Sequence, residues 1–313
     1  MSTGSVAIVD IGSNSIKILV AERREDETIG ALFSRTIDAR ISAGISSKHP
    51  RLSEESMARG LDAIQQLLAE ANRFAPTRTV LVATSAVRDA ENGVDFRELV
   101  RTGTGQVVRI LSGREEAALI GRGLTCDPAL SAVSNFYVFD LGGGSLECLA
   151  FRDRIMNQAV SLQLGCVRLT EMLVPDAAKS ISQETIALIQ SHTRNELAKA
   201  GFDFGLPGDA MAVGTGGTIT TTRAMLAARA GRSLEQTPSR VELTGFRQVL
   251  GELSALPLTG RKQVAGLPPA RADVFPTALA TLVAVAEMGN FSAYQHSFYN
   301  LRYGLAAEVL GSI

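Results

Sequence analysis

The chain has 313 residues, 45% of them hydrophobic, and a net formal charge of −1. That length predicts about two domains with sizeable cores, and the near-neutral charge excludes a global basic field for nucleic acid or an acidic membrane surface. Three cysteines without CxxC spacing, three isolated histidines and no long apolar run argue against a disulfide scaffold, a zinc site, a signal peptide or a membrane span. A reduced cytoplasmic setting follows, with Cys126, Cys148 and Cys166 as small buried residues.

In chain order, residues 6–10 and 16–22 read as a hairpin and residues 29–41 as a further strand. Residues 53–74 read as a helix with Ser53 as N-cap and Leu61, Ile64, Leu67, Leu68 and Ala71 on one face. A short buried strand follows at 79–83, which sets an α/β rhythm. The polar run Thr84-Ser85-Ala86-Val87-Arg88 at its end stands where open α/β sheets place ligands. Arg88 has the planar fork that suits phosphate, or it pairs with Glu91 on a helix surface. The next strand, 107–111, leads into SGREEAALIGRG. Ser112 and Glu115 fit a capping box there, which gives Glu115 a structural role. Glu116 is left over near the positive end of the helix, either as a surface residue or as a placed base.

Residues 126–135 read as a linker. After them comes YVFDLGGGSLECL, residues 137–149: a strand ending in Asp140, a loop of Gly142, Gly143, Gly144 and Ser145, and a second strand carrying Glu147. Three glycines allow positive φ and a nest of N–H groups suited to phosphate, and the two carboxylates suit a hard cation. The plainer reading is a glycine-rich hairpin with two exposed acids. A second copy weighs against it. Residues 7–21 read AIVDIGSNSIKILVA, with Asp10, Gly12 and Ser15 each 130 residues before Asp140, Gly142 and Ser145. Two such loops facing each other across a cleft would clamp a phosphoryl group and its metal.

Residues 155–164 read as strand, 165–173 as a turn into a helix, and 182–200 as a helix. A strand at 210–213 runs into GTGGTITTT, a third glycine-rich loop expected to open a helix near Thr220. Helices are expected at 243–256, 274–288 and 301–310, with a last strand at 295–298.

Seven motifs occur in order: DIGSNS, ATSAVRDAEN, LSGREEA, FDLGGGSLE, LGCVRLTE, GTGGT and RAD. Together they resemble the exopolyphosphatase / guanosine pentaphosphate phosphatase family, in its short two-domain form. The resemblance spans nearly the whole chain. It implies two α/β domains of the ribonuclease-H-like type, in the actin, Hsp70 and sugar-kinase fold group, around a central cleft. The expected boundaries are 1–125 and 126–300, with a C-terminal helix at 301–313 packing back on the first domain. It also implies hydrolysis of a terminal phosphoanhydride in polyphosphate or guanosine pentaphosphate, with Mg²⁺ as cofactor and a homodimer as assembly. Carried over by motif position, Glu116 is the catalytic carboxylate, Arg88 a phosphate ligand, and Asp140 and Glu147 the metal-side carboxylates with Asp10 opposite. Gly12, Ser13, Asn14, Ser15, Gly142, Gly143, Gly144, Ser145, Gly216, Gly217 and Thr218 line the phosphate site. The chain departs from the family pattern at Leu146, Ala118, Pro276 and Asn300, which bears on substrate preference more than on chemistry. A kinase of the same fold group and a non-catalytic polyphosphate or nucleotide sensor are the competing readings.

Overall fold

The structure, a computed structural model, describes residues 4–311 and divides them into two compact units, 4–132 with 299–311, and 133–298. The first unit begins with β1 (Val6–Ile11), β2 (Ile16–Arg23) and β3 (Ile29–Ile37), then α1 (Glu54–Ala71) and β4 (Arg78–Ala83). It continues with α2 (Ser85–Asp89), α3 (Gly93–Thr104), β5 (Val108–Ile110) and α4 (Gly113–Thr125). Its sheet has the order β3-β2-β1-β4-β5, with β1, β2 and β3 antiparallel and β4 and β5 parallel to β1. β1 takes a central position because VAIVDI is apolar on both faces, whereas β3 exposes much of GALFSRT and forms an edge. Ser53 caps α1 by accepting from the Ser56 amide at 3.1 Å. The buried face of that helix carries Gly60, Ala63, Ile64, Leu67 and Ala71.

The second unit contains β6 (Phe136–Leu141), β7 (Leu146–Arg152), β8 (Ile155–Leu162), α5 (Cys166–Leu173), α6 (Gln183–Lys199) and β9 (Met211–Thr215). After these come α7 (Gly217–Arg229), β10 (Arg240–Glu242), α8 (Leu243–Ala255), α9 (Leu258–Arg261), α10 (Phe275–Met288) and β11 (Ala293–His296). The sheet order is β10-β11-β9-β6-β7-β8. α10 is apolar all round and buried from Phe275 to Ala286, so it is the core helix of this unit. Arg261 is fully buried. It is tolerated because its guanidinium donates to the carbonyls of Ala177, Lys179, Leu256 and Ala272.

The chain then returns to the first unit as α11 (Leu301–Val309), which lies against α4, β1 and β2. The two helices meet backbone to backbone at glycines. A Cβ on Gly304 would stand 1.9 Å from the Leu119 oxygen, and one on Gly123 2.0 Å from the Asn300 oxygen. Residues 312 and 313 of the expected terminal helix lie outside the described residues.

The repeat legible in the sequence is a repeat of register. Asp10 opposes Lys17 and Asp140 opposes Glu147 at the same step of the antiparallel ladder. The Gly12 amide donates to the Ser15 carbonyl at 3.2 Å, and Gly142 to Ser145 at 3.0 Å. Even the register shift in the second strand recurs, between Val20 and Ala21 and between Ala150 and Phe151.

Several expectations need correction. Helix α3, strand β10 and helix α9 were not predicted. α7 begins at Gly217, three residues before the expected Thr220, because Gly214 and Thr215 belong to β9. Gly12, Gly142, Gly143 and Gly144 are all absent from the positive-φ residues, so the hairpin loops do not use the left-handed region. Cys126 is half-buried; Cys148 and Cys166 are buried as expected.

Candidate active site

In the first unit, one short helix joins the predicted residues. β4 ends at Ala83, and the Thr84 amide donates to the Ile11 carbonyl at the end of β1. This sets the start of α2 beside the first loop, where Ser85 and Ser13 hydroxyls lie 2.9 Å apart, both buried. One turn later Arg88 donates through Nη1 to Glu116 Oε2 at 2.8 Å and to the Leu111 carbonyl at 3.0 Å, and its Nε lies 3.4 Å from Asp89. The Glu91 partner weighed for Arg88 is therefore wrong: Glu91 holds His49 and Arg51 instead. Glu116 is buried, with 7% of its surface exposed, and it points inward from the first turn of α4.

Its neighbour behaves differently. Glu115 accepts from the Ser112 amide and hydroxyl at 2.8 Å each, while its own amide donates to Ser112 Oγ, which closes the capping box. Hydrogen bonds from Arg109 and Ser112 hold its pKa down to about 2.

The two hairpin loops are held by their carbonyls. The Ser42 and Arg40 amides donate to the Ser13 and Asn14 carbonyls, and Arg40 Nε reaches Asn14 Oδ1 at 3.2 Å. Arg40 sits at φ 40°, in the left-handed region that residues with a Cβ rarely adopt, and this double contact holds it there. In the second unit the Cys166 amide donates to Gly142, the Val167 and Arg168 amides donate to Gly143, and Arg168 Nε donates to Gly144 at 3.0 Å. Among the described residues no backbone carbonyl receives the amides of Ser13, Asn14, Gly143 or Gly144. Each loop thus leaves two successive amides without a backbone acceptor, which an anion nest requires.

The second unit carries the acids. Asp140 and Glu147 are directly opposed across β6 and β7, and so share a face with Cβ atoms roughly 5 Å apart. Ser161 donates to Glu147 Oε1 at 2.7 Å. Asp140 lies against the third loop. A Cβ on Gly216 would stand 2.3 Å from Asp140 Oδ1, and Gly216 has φ 83°, so only glycine serves there. Thr218 is fully buried and its hydroxyl turns to the Leu141 carbonyl at 3.4 Å, which makes it a structural tie of this loop. Arg271 of the RAD motif covers Gly217 and donates to Thr221 Oγ1 at 3.1 Å.

Among the described residues no group of three or more His, Cys, Asp or Glu side chains stands at metal-binding distance. Asp140 and Glu147 alone suffice for Mg²⁺, which uses one or two carboxylates and takes its other ligands from water and phosphate. Asp10 is in a different setting, since the residue opposite it is Lys17. The first hairpin is therefore charge-balanced and the second carries two acids. Lys17, Arg40 and Arg168 were missed in the sequence. Only Lys17 had a signal there: it stands 130 residues before Glu147.

The departures from the motif pattern have local reasons. Leu146 is a fully buried core residue of β7, and Ala118 is exposed on α4. Pro276 occupies the first turn of α10, where no amide is required. Asn300 caps α11 by accepting from the Arg302 amide at 3.1 Å.

The described helices include none long and apolar enough to cross a membrane. Over 312 residues the chain is 30% identical to a guanosine-5'-triphosphate,3'-diphosphate pyrophosphatase of Aeromonas salmonicida; the match covers 98% of this chain and 59% of the relative. The chain thus spans about three-fifths of that protein's length. An exopolyphosphatase structure from Cytophaga hutchinsonii superposes with a TM-score of 0.86 at 21% identity, covering 99% of this chain and 98% of the other. An Aquifex aeolicus member of the Ppx/GppA protein family gives 0.78 at 23%, covering 98% of each chain. At such identities these likenesses establish the fold, two α/β units of the ribonuclease-H-like type. The model of the Ppx/GppA phosphatase family matches residues 6–312, a span that takes in both amide-lined hairpins, the buried Glu116 and the acid pair; the chain belongs to that family.

Proposed function

We propose that the protein is a phosphoanhydride hydrolase that releases terminal orthophosphate from inorganic polyphosphate or guanosine pentaphosphate, with Mg²⁺ as cofactor. The observation that carries this reading is the buried Glu116 held by Arg88 on the same short helix that abuts an amide-lined loop. Phosphoryl transfer passes through a loose transition state, so positioning and charge neutralisation supply most of the catalysis. The amides of Ser13 and Asn14, and those of Gly143 and Gly144, bind phosphate oxygens. Glu116 orients a water in line with the scissile bond and accepts its proton. Arg88 fixes the Glu116 carboxylate in that orientation. Asp140 and Glu147 would hold Mg²⁺, which would supply neutralisation of phosphate charge. A cytoplasmic setting and a homodimer belong to the same proposal and rest on the family resemblance.

The test is phosphate release by the purified protein with Mg²⁺ on long-chain polyphosphate, guanosine pentaphosphate and ATP. Release from one of the first two is expected to fall by about 10²–10⁴ in Glu116→Gln, with substrate binding retained. Near-wild-type release from that variant would remove Glu116 from its role. Binding without release from any substrate would instead favour a sensor, and consumption of ATP only with an acceptor would favour a kinase.

A further inference from the structure

β11 runs parallel to β9 and sets His296 beside Gly214, and β9 in turn sets Thr215 beside Asp140. His296 therefore stands at the same end of the sheet as Asp140 and the third glycine-rich loop, two strands away and in the same unit. It is buried, with 5% of its surface exposed, and the reaction described above gives it no part.

Its hydrogen bonds run in one direction. Arg223 Nη1 donates to His296 Nδ1 at 2.8 Å. A guanidinium has no acceptor, so Nδ1 must accept and the ring proton sits on Nε2. Nε2 donates to Thr220 Oγ1 at 3.0 Å, which leaves the hydroxyl proton for the Gly216 carbonyl at 2.9 Å. The far end of this chain is anchored in backbone. Arg223 Nε donates to the Pro238 carbonyl at 2.9 Å, and its Nη2 to the carbonyls of Leu234 and Thr237 at 2.8 and 2.7 Å.

The residue at the near end needs such support. Gly216 is the N-cap of α7 and has no side chain with which to cap it. Asp140 Oδ1 rests against its α-carbon, in the space where a Cβ would stand. A shift of Gly216 thus moves the wall against which that carboxylate is set. Three buried, directional hydrogen bonds that end on the Gly216 carbonyl hold this wall in place.

We infer that Arg223, His296 and Thr220 are positioning residues for the acid pair: they fix Gly216, and through it the orientation of the Asp140 carboxylate toward a divalent cation. The inference rests on reading Asp140 and Glu147 as the ligands of that cation. A chain that served only to stabilise the unit would leave cation affinity untouched.

The experiment is Mn²⁺ binding to the full chain, followed by loss of the free-ion electron paramagnetic resonance signal, with denaturant midpoints measured alongside. The unsubstituted chain is expected to bind, and Asp140→Asn to lose binding. Thr220→Val keeps the side-chain shape and removes the last link, and is expected to weaken Mn²⁺ binding about tenfold; His296→Leu cuts the chain one link earlier and should weaken it by about the same factor. Thr220→Ser restores the hydroxyl and is expected to bind within about twofold of the unsubstituted chain. Val249→Ala, in the buried face of α8, is expected to lower the unfolding midpoint and leave Mn²⁺ binding unchanged. Unmoved binding in Thr220→Val or in His296→Leu would overturn the inference, as would an equal loss in Val249→Ala or in Thr220→Ser. Those outcomes leave the hydrolase reading standing. No Mn²⁺ binding by the unsubstituted chain, or binding retained in Asp140→Asn, would instead overturn the inference together with the cation site on which it rests.

Discussion

Glu115 and Glu116 are neighbours in the chain with opposite surroundings, and two pH experiments follow from such contrasts. Glu115 is stabilised as a carboxylate by Arg109 and Ser112, with its pKa lowered to about 2. A depressed carboxylate contributes stability above its unfolded pKa and loses it as pH falls through the folded one. Glu115→Gln is therefore expected to cost about 1 kcal/mol or less at pH 7, the cost being small because the side chain is 44% exposed. That difference from wild type should vanish between about pH 4.5 and pH 2, read from denaturant midpoints. His296 gives the opposite case of a base held neutral. Burial first, and then Arg223, lowers its pKa to about 4. Arg223 Nη1 donates to Nδ1 at 2.8 Å, so the ring proton sits on Nε2 and donates to Thr220 Oγ1 at 3.0 Å. The folded state then binds fewer protons than the unfolded one between about pH 6.5 and 4. Stability is complete above that window and falls across it by on the order of 3 kcal/mol. His296→Gln should flatten this limb; an unchanged acid limb would show that another group produces it.

Among elements, the hairpins were legible because two apolar runs joined by D-x-G-x-x-S occur twice, and the repeat extends to register and bulge. α4 was legible because S-x-x-E is a local signal, and the same signal singled out Glu116. α3 was not, because GVDFRELVRTGT opens on glycine and is largely polar, and its value lies in contacts made elsewhere. Asn92, just before it, exchanges two hydrogen bonds with the Leu52 backbone at 2.8 and 2.9 Å, and a Cβ on Gly93 would stand 2.2 Å from the Val87 oxygen. The partner of Arg88 was likewise hidden, since Glu116 lies 28 residues away and the nearer Glu91 satisfied a local rule. The C-terminal helix was expected to pack back on the first domain, but neither α4 as its partner nor the form of their contact was legible. Because backbone rather than a flexible side chain receives any added Cβ, Gly304→Ala is expected to destabilise by about 1–3 kcal/mol or more, measured at the unfolding midpoint. A neutral result would mean that the two helices separate at little cost.

For the whole molecule, the two units differ in how the chain builds them. The second is continuous over residues 133–298, whereas the first closes only when 299–311 returns to it. A chain of residues 133–298 alone is expected to unfold cooperatively, with its core around α10 intact. Residues 1–132 alone should lack a cooperative transition until the segment from 299 onward is supplied. Circular dichroism against denaturant checks both, and a cooperative transition for 1–132 by itself would show that α11 is dispensable. The units also differ in charge at matched positions, with Lys17 in one and Glu147 in the other. That difference leaves the first hairpin charge-balanced and puts two acids side by side on the second.

The triple glycine of the second hairpin would by itself be the most pliable stretch of the chain, since a peptide plane between glycines turns over at little steric cost. A turned plane would present a carbonyl oxygen where the loop now presents an amide, and so would repel an anion instead of attracting one. α5 prevents this from outside the loop: its first amides and the Arg168 side chain occupy the carbonyls of Gly142, Gly143 and Gly144. It can come that close only because residue 165 is glycine, where a Cβ would stand 2.3 Å from the loop backbone. The orientation of the loop's amides is thus latched by a neighbouring helix, and Gly165, which carries no side chain at all, is the pivot of that latch.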